Sequence, residues 1–176
     1  MTPLISFFTP TYNRAHTLHR VYEALNKQTF KDFEIVIVND GSIDKSIEVV
    51  KSFDDNRIRI INQNNSGVSQ ARNRGIIEAN RKWIAFLDAD DLWKPNKLEK
   101  YSKIINDNID LEWLLSGYTS LKGEKKNNFT YNFEGKFTDA IDALNDGLSI
   151  QTSTVVVKKQ AFLDDENLFF TKGINN

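Results

Sequence analysis

Apolar residues fall into two alternating patterns along the chain. Short, near-continuous runs rich in β-branched and aromatic residues occur at Leu4 to Thr9 (LISFFT), Phe33 to Val38 (FEIVIV) and Ile58 to Ile61, and again at the start of Trp83 to Trp93 (WIAFLDADDLW). Runs of this length predict buried strands. The first stops at Pro10, which has no amide to donate to a sheet. Between the runs the spacing changes to that of a helix. Leu18, Val21, Tyr22 and Leu25 share one face, and so do Ile43, Ile47 and Val50, with Ser42 placed as their N-cap. A third helix is predicted over Val68 to Asn80 (VSQARNRGIIEAN), where Val68, Ala71, Gly75 and Ala79 form a narrow side of small apolar residues.

Strand and helix in regular alternation predict an α/β domain with a central, mostly parallel sheet. Ligands of such sheets bind beyond the carboxyl ends of the strands. The segments at that end are Pro10 to Arg14, Asn39 to Ser42, Asn62 to Gly67 and Asp88 to Asp91, all of them polar. Downstream, a helix is expected to start near Pro95 with Leu98, Tyr101 and Ile105 inward. Glu112 to Tyr118 (EWLLSGY) predicts a strand, Gly123 to Asn132 an exposed loop or hairpin, and Thr138 to Asn145 a short helix ended near Gly147. Ser153 to Val157 (STVVV) predicts a last strand, and Asp164 to Asn176 carries no strong periodicity.

Composition narrows the functional classes. The 176 residues suit one domain with a substantial core, and 40% hydrophobic with 27% charged residues describes a globular protein. A net charge of −1 supplies no basic field, which disfavours a nucleic-acid partner. With no cysteine there are no disulfides or thiolate metal sites. The two histidines, His16 and His19, are expected on the exposed side of the first helix and not at a zinc ion. No window reaches the apolar length of a membrane span, and the first strand begins too close to Met1 for a signal peptide. The expected location is therefore cytoplasmic, or peripheral at the inner face of a membrane.

The acidic end of the fourth run carries the most chemistry. In extended chain Asp88 and Asp90 point the same way while Ala89 points away. Two carboxylates so placed repel each other unless a cation lies between them, and oxygen-only ligands favour Mg²⁺ or Mn²⁺ shared with substrate phosphates. The alternative is that Asp90 and Asp91 cap the helix near Pro95 and Asp88 is solvated. Arg72 is the second unusual residue, because it falls in the middle of the small apolar side of its helix. A guanidinium facing a sheet needs an anion, which Asp40, Asp88 or a bound phosphate would supply; otherwise the side chain snorkels to solvent.

Taken together, PTYNR (Pro10 to Arg14), VNDGS (Val38 to Ser42), SGVSQARNRG (Ser66 to Gly75) and FLDADD (Phe86 to Asp91) resemble the family 2 glycosyltransferases, which have the GT-A fold, a Rossmann-like sandwich with a mixed central sheet flanked by helices. The resemblance is tight over Leu4 to Leu92 and looser beyond. It implies a single GT-A domain over residues 1–176, with 1–111 as the nucleotide-sugar half and 112–176 as part of the acceptor side. It further implies transfer with inversion from a nucleotide-diphosphate sugar, with UDP the expected carrier, to a saccharide or lipid-linked saccharide acceptor in polysaccharide synthesis. Carried over by position, Pro10, Thr11, Tyr12, Arg14, Asp40, Arg72, Asp88 and Ala89 would meet the nucleotide. Tyr12 would stack on the base and Asp40 would accept its ring N–H. Asp90, with Asp91 as its neighbour, would hold Mn²⁺ or Mg²⁺. The family's general base is commonly an acid in a Glu-Asp pair late in the domain. No such pair lies within Phe169 to Asn176, so the base is expected beyond Asn176.

Two other classes remain open on the residues alone. One is a nucleotide- and metal-binding fragment that lacks its base. The other is a Mg²⁺-dependent phosphohydrolase with Asp88 as nucleophile, although the position where such sites carry Thr or Ser holds Leu92. A dinucleotide-binding Rossmann domain is disfavoured, because PTYNR carries no GxGxxG.

Overall fold

A computed structural model of the chain describes residues 5–122, 125–130, 151–164 and 170. The strands are β1 (Ile5–Thr11), β2 (Phe33–Asp40), β3 (Ile58–Gln63), β4 (Trp83–Phe86), β5 (Trp113–Leu115), β6 (Tyr118–Lys122), β7 (Lys125–Phe129) and β8 (Val155–Lys158). The helices are α1 (Ala15–Asn26), α2 (Ser46–Lys51), α3 (Val68–Glu78), α4 (Lys97–Asp107) and α5 (Lys159–Asp164). Six strands form one sheet in the order β3-β2-β1-β4-β8-β5. The first four in that order are mutually parallel, and β8 runs antiparallel to both β4 and β5. The sheet is thus mixed and mostly parallel, as the alternation predicted. β6 and β7 pair as a separate hairpin that begins before the segment Gly123 to Asn132 expected to be an exposed loop or hairpin, and only β7 falls within it.

Strand alternation divides the core in two. Ile5, Phe7, Ile35, Ile37, Trp83 and Ala85 face Leu18, Val21 and Leu25 of α1 and Leu98 and Tyr101 of α4. Phe8, Val36, Val38, Ile84 and Phe86 face Ala71 and Ile76 of α3 and Phe162 of α5. The small side of α3 lets that helix lie close to the sheet. A Cβ on Gly75 would stand 2.0 Å from Cδ2 of Phe8, a fully buried ring. Val68, expected on the same side, is instead half exposed, and Ile76 joins the buried set in its place.

Several boundaries differ from the sequence expectation, each for a local reason. β1 continues through Pro10 to Thr11. The Phe8 carbonyl accepts the Leu87 amide on the β4 side, so Pro10, two residues on, turns its missing donor to that same side. There β4 has already ended, at the Phe8↔Phe86 pair, while pairing with β2 runs on to Thr11↔Asn39. A proline on this unpaired margin forfeits no ladder bond. Ser42 does not cap α2, which begins at Ser46 with Lys45 as its N-cap, and Ile43 is 89% exposed. α4 starts at Lys97, two residues after Pro95, with Asn96 as its N-cap. The run EWLLSGY divides at Ser116 and Gly117, its first part joining the main sheet and Tyr118 the hairpin. Ser153 lies in a 3-10 turn over Thr152–Thr154 and not yet in a strand. The helix expected over Thr138 to Asn145 and most of the tail lie outside the described residues.

That 3-10 turn fastens the acidic segment after β4. The Ser153 Oγ accepts the Asp88 amide at 3.0 Å, and its carbonyl accepts Trp93 Nε1 at 2.8 Å and Lys97 Nζ at 3.0 Å. Tyr101 donates its hydroxyl to the next carbonyl, of Thr154, at 3.0 Å. Trp93 packs edge-on against Phe7 in the core at 4.9 Å, so the turn is pinned at both ends. Lys97 lies across the Trp93 ring at 3.9 Å and near Tyr101 at 5.5 Å. Burial pulls its ammonium down to about 7, with Asp91 pulling part of the way back. The two ring faces act in the same direction as Asp91.

Two measurements check this account. Gly75→Ala gains about 1 kcal/mol of helix propensity, but the clash with a buried ring costs about 1–3 kcal/mol or more. At 2.0 Å the clash wins, so a lower urea midpoint is expected, and an unchanged or raised midpoint would contradict the packing of α3 on Phe8. For Lys97, the unfolded chain keeps its proton up to the ordinary 10.5 while the folded chain releases it near 7. Between those values the unfolded state binds more protons, so stability rises with pH across the window and is flat below it. Wild type should therefore gain stability relative to Lys97→Met on going from pH 6.5 to pH 9.5, and a constant difference would count against a buried ammonium.

Candidate functional site

The four parallel strands deliver their carboxyl ends to one edge, and short polar side chains tie the loops there to one another. Asn13 adopts a left-handed φ of 52°, which asparagine tolerates better than most residues. Its amide donates to Ser42 Oγ at 3.0 Å, and its Oδ1 accepts the Ile43 amide at 2.9 Å and the Asp44 amide at 3.3 Å. From the neighbouring loop, Ser46 Oγ accepts the Arg14 amide at 2.9 Å and Asp44 Oδ2 accepts the Ala15 amide at 3.1 Å, so the start of α1 is capped by the loop after β2. Ser42 has become a bridge between loops, its amide donating to Asn39 Oδ1 at 3.0 Å.

Asp40 performs the same service for the next loop. Its carboxylate is 3% exposed and accepts Gln63 Nε2 at 2.7 Å, the Ser66 amide at 2.8 Å and the Gly67 amide at 2.9 Å. Gly67, the N-cap of α3, has φ +87°, which only glycine adopts readily. Three of the roughly four acceptor positions of a carboxylate are thereby filled, leaving one on Oδ2. Asp40 thus fixes the entry of α3.

Arg72 finds its anion in Asp88. Nη2 donates to Oδ1 and to Oδ2, each at 2.9 Å, and the Phe170 ring covers the guanidinium at 5.2 Å. The side chains are 14% and 27% exposed, so the pair is sheltered but still in contact with solvent. The chain then leaves the extended form. The Asp91 amide donates to the Asp88 carbonyl at 3.1 Å and closes a turn in which Ala89 is buried and Asp90 and Asp91 are exposed. The extended geometry expected for Asp88 to Asp90 is therefore replaced by a turn. Neither Asp90 nor Asp91 caps α4, whose N-cap is Asn96.

Of the remaining expected residues, Tyr12 is 46% exposed and stands clear of the sheet edge, and Arg14 is exposed. Pro10 is half-buried, and Thr11 is buried with its hydroxyl unpartnered among the described residues. His16 and His19 both lie on the exposed side of α1. Asn13, Asp44, Ser46, Ser153, Lys97, Asn73 and Phe170 support the site but were not singled out by sequence. Asn13 and Asn73 lay inside recognised motifs, whereas the others had no local signal.

Among the described residues no group of three or more His, Asp or Glu side chains converges to hold a metal by itself. Asp90 and Asp91 are both exposed, and as oxygen donors they would suit a hard divalent ion of the Mg²⁺ or Mn²⁺ kind that took its other ligands from a bound molecule and water. No helix among the described residues is long and apolar enough to cross a membrane.

Comparison with known proteins agrees with this architecture. The family model described as "Glycosyl transferase family 2" matches residues 6–163. Over 108 residues the chain is 37% identical to the Escherichia coli UDP-Glc:alpha-D-GlcNAc-diphosphoundecaprenol beta-1,3-glucosyltransferase WfgD, a match covering 60% of this chain and 43% of that one. Its fold matches S. aureus TarS residues 1–349 in complex with UDP-GlcNAc at a TM-score of 0.78 and 22% identity, covering 95% of this chain and 48% of that one. It also matches the mannosyltransferase PcManGT from Pyrobaculum calidifontis in complex with GDP-Man and Mn²⁺ at a TM-score of 0.67 and 15% identity, covering 93% and 47%. The chain spans less than half the length of the curated relatives it matches, from 15% to 46%. Its mixed sheet is that of the GT-A fold, and the chain belongs to glycosyl transferase family 2.

Proposed function

We propose that this chain carries the donor site of an inverting glycosyltransferase that moves a sugar from a UDP-sugar to the hydroxyl of a saccharide or lipid-linked saccharide in polysaccharide synthesis. The observation that carries the reading is the Arg72–Asp88 pair at the sheet edge, with exposed Asp90 and Asp91 in the next turn and exposed Tyr12 in the β1–α1 loop. Residues 1–111 form the donor half and 112–176 contribute to the acceptor side. WfgD, named for UDP-glucose and a diphosphoundecaprenol acceptor, and TarS, seen with UDP-GlcNAc, support the choice of donor class and of acceptor.

In this reading Tyr12 offers its ring face to the base. Asp40 holds the start of α3 in place and offers its remaining acceptor position to the base N–H. Arg72 holds the Asp88 carboxylate toward the ribose, and its Nη1 group faces the nucleotide. Asp90, with Asp91 beside it, holds a divalent ion whose chemistry is to stabilise the charge that builds on the departing diphosphate. Inversion requires a general base to take the acceptor proton, and none of the described acids is assigned that role. A phosphohydrolase with Asp88 as nucleophile fits less well, because Arg72 engages both Asp88 oxygens at 2.9 Å.

Calorimetric titration of UDP with and without Mn²⁺ tests the site. Binding should depend on Mn²⁺ and weaken tenfold or more in Asp90→Ala; equal affinity with and without metal, or in the variant, would remove the donor site from this turn. Arg72→Ala leaves Asp88 without its counter-ion and should weaken UDP at least tenfold. Arg72→Lys should not restore binding, because an ammonium cannot keep the planar contacts to both Asp88 and Phe170. Full affinity in Arg72→Lys would show that only the charge matters.

A further inference from the structure

Asn73 follows Arg72 on α3 and holds a residue far downstream. Its Nδ2 donates to the Phe170 carbonyl at 2.8 Å, and its Oδ1 accepts the Phe170 amide at 2.8 Å. A side-chain amide that engages both backbone groups of one residue imitates a neighbouring strand, and fixes that residue in position and in direction. The Phe170 ring then meets Phe86, the last residue of β4, edge-on at 5.5 Å, and lies 5.2 Å from Arg72 Cζ.

Arg72 needs such a neighbour. It reaches Asp88 through Nη2 alone, and a contact through a single nitrogen leaves the guanidinium plane free to swing about it. Its Nε is buried and has no hydrogen-bond partner among the described residues, so that edge holds nothing in place. The ring on its face supplies the second constraint.

We propose that Asn73 is a positioning residue: by docking Phe170 on α3 it sets the plane of the Arg72 guanidinium and, through it, the Asp88 carboxylate that meets the donor. The proposal rests on the reading of Arg72 and Asp88 as donor contacts, and its test is arranged to separate the two. The Arg72 Nε–H resonance of the full chain without nucleotide reports the guanidinium directly, and UDP affinity in Mn²⁺ reports the consequence.

In Asn73→Ala the Nε–H resonance should move toward that of solvent arginines and its hydrogen exchange should quicken tenfold or more, with UDP affinity falling about tenfold. Phe170→Leu keeps the backbone pair and loses only the ring, and should do the same. The double variant should lose no more than either single one, because both act through Arg72. Should Asn73→Ala fail to fold, Phe170→Leu carries the test. An unmoved Nε–H resonance in either variant, or losses of UDP affinity that add, would overturn the clamp and leave Asn73 as packing. If wild type binds no UDP, the donor-site reading falls, and the Nε–H resonance alone decides whether the clamp exists.

Discussion

Backbone amides at the carboxyl edge of a parallel sheet have left the ladder and must find acceptors elsewhere. In this chain they find short side chains from the next loop. Asp40 takes the amides of Ser66 and Gly67, Asn13 those of Ile43 and Asp44, Asp44 and Ser46 those of Ala15 and Arg14, and Ser153 that of Asp88. Each bond contributes about 1 kcal/mol net, more where a carboxylate accepts, but an amide left buried without one costs about 1–3 kcal/mol. The loops are therefore locked to one another as well as to the sheet. A sheet edge built this way is held in one shape by the protein's own groups, which lowers the ordering cost of binding any ligand there.

The division of labour among the acids follows from burial. Asp40 and Asp88 are sheltered and already have partners, so their charges are spent on the protein's own amides and on Arg72. Asp90 and Asp91 are exposed and have no such commitments among the described hydrogen bonds and ion pairs, so their carboxylates stay open to solvent. Removing one member of a buried ion pair costs about 3–5 kcal/mol, and the 27% exposure of Asp88 puts this pair at the lower end of that range. Loss of Arg72 would thus unsettle the turn that carries Asp90 even before any ligand arrives.

The architecture was legible because its causes are local. FEIVIV and WIAF are buried on both faces and read as parallel strands, and the small side of α3 foretold a helix lying close to its sheet. Arg72 was legible for the same reason, as a charge on the wrong side of a helix. The misreadings have long-range causes. Ser42 resembles a helix cap until the Asn13 loop claims it, and Pro10 resembles a strand stop until β4 proves shorter than β2. Asp88 to Asp91 read as extended because nothing nearby announces that Ser153 and Trp93 bend them into a turn. The Asn73–Phe170 contact spans 97 residues and left no periodic trace at all.

The place of β8 in the sheet has a temporal meaning. It lies between β4 and β5 yet comes from far downstream, and the acceptor for the Asp88 amide lies 65 residues beyond it. As the chain emerges from a ribosome, β1 to β4 can pair early, while the acidic turn waits for Ser153 and the Arg72 face waits for Phe170. Such late, non-local contacts are slow to form. The scaffold of the site is thus assembled first and its working surface last, so a nascent or clipped chain would hold four of the six strands with an unfinished edge.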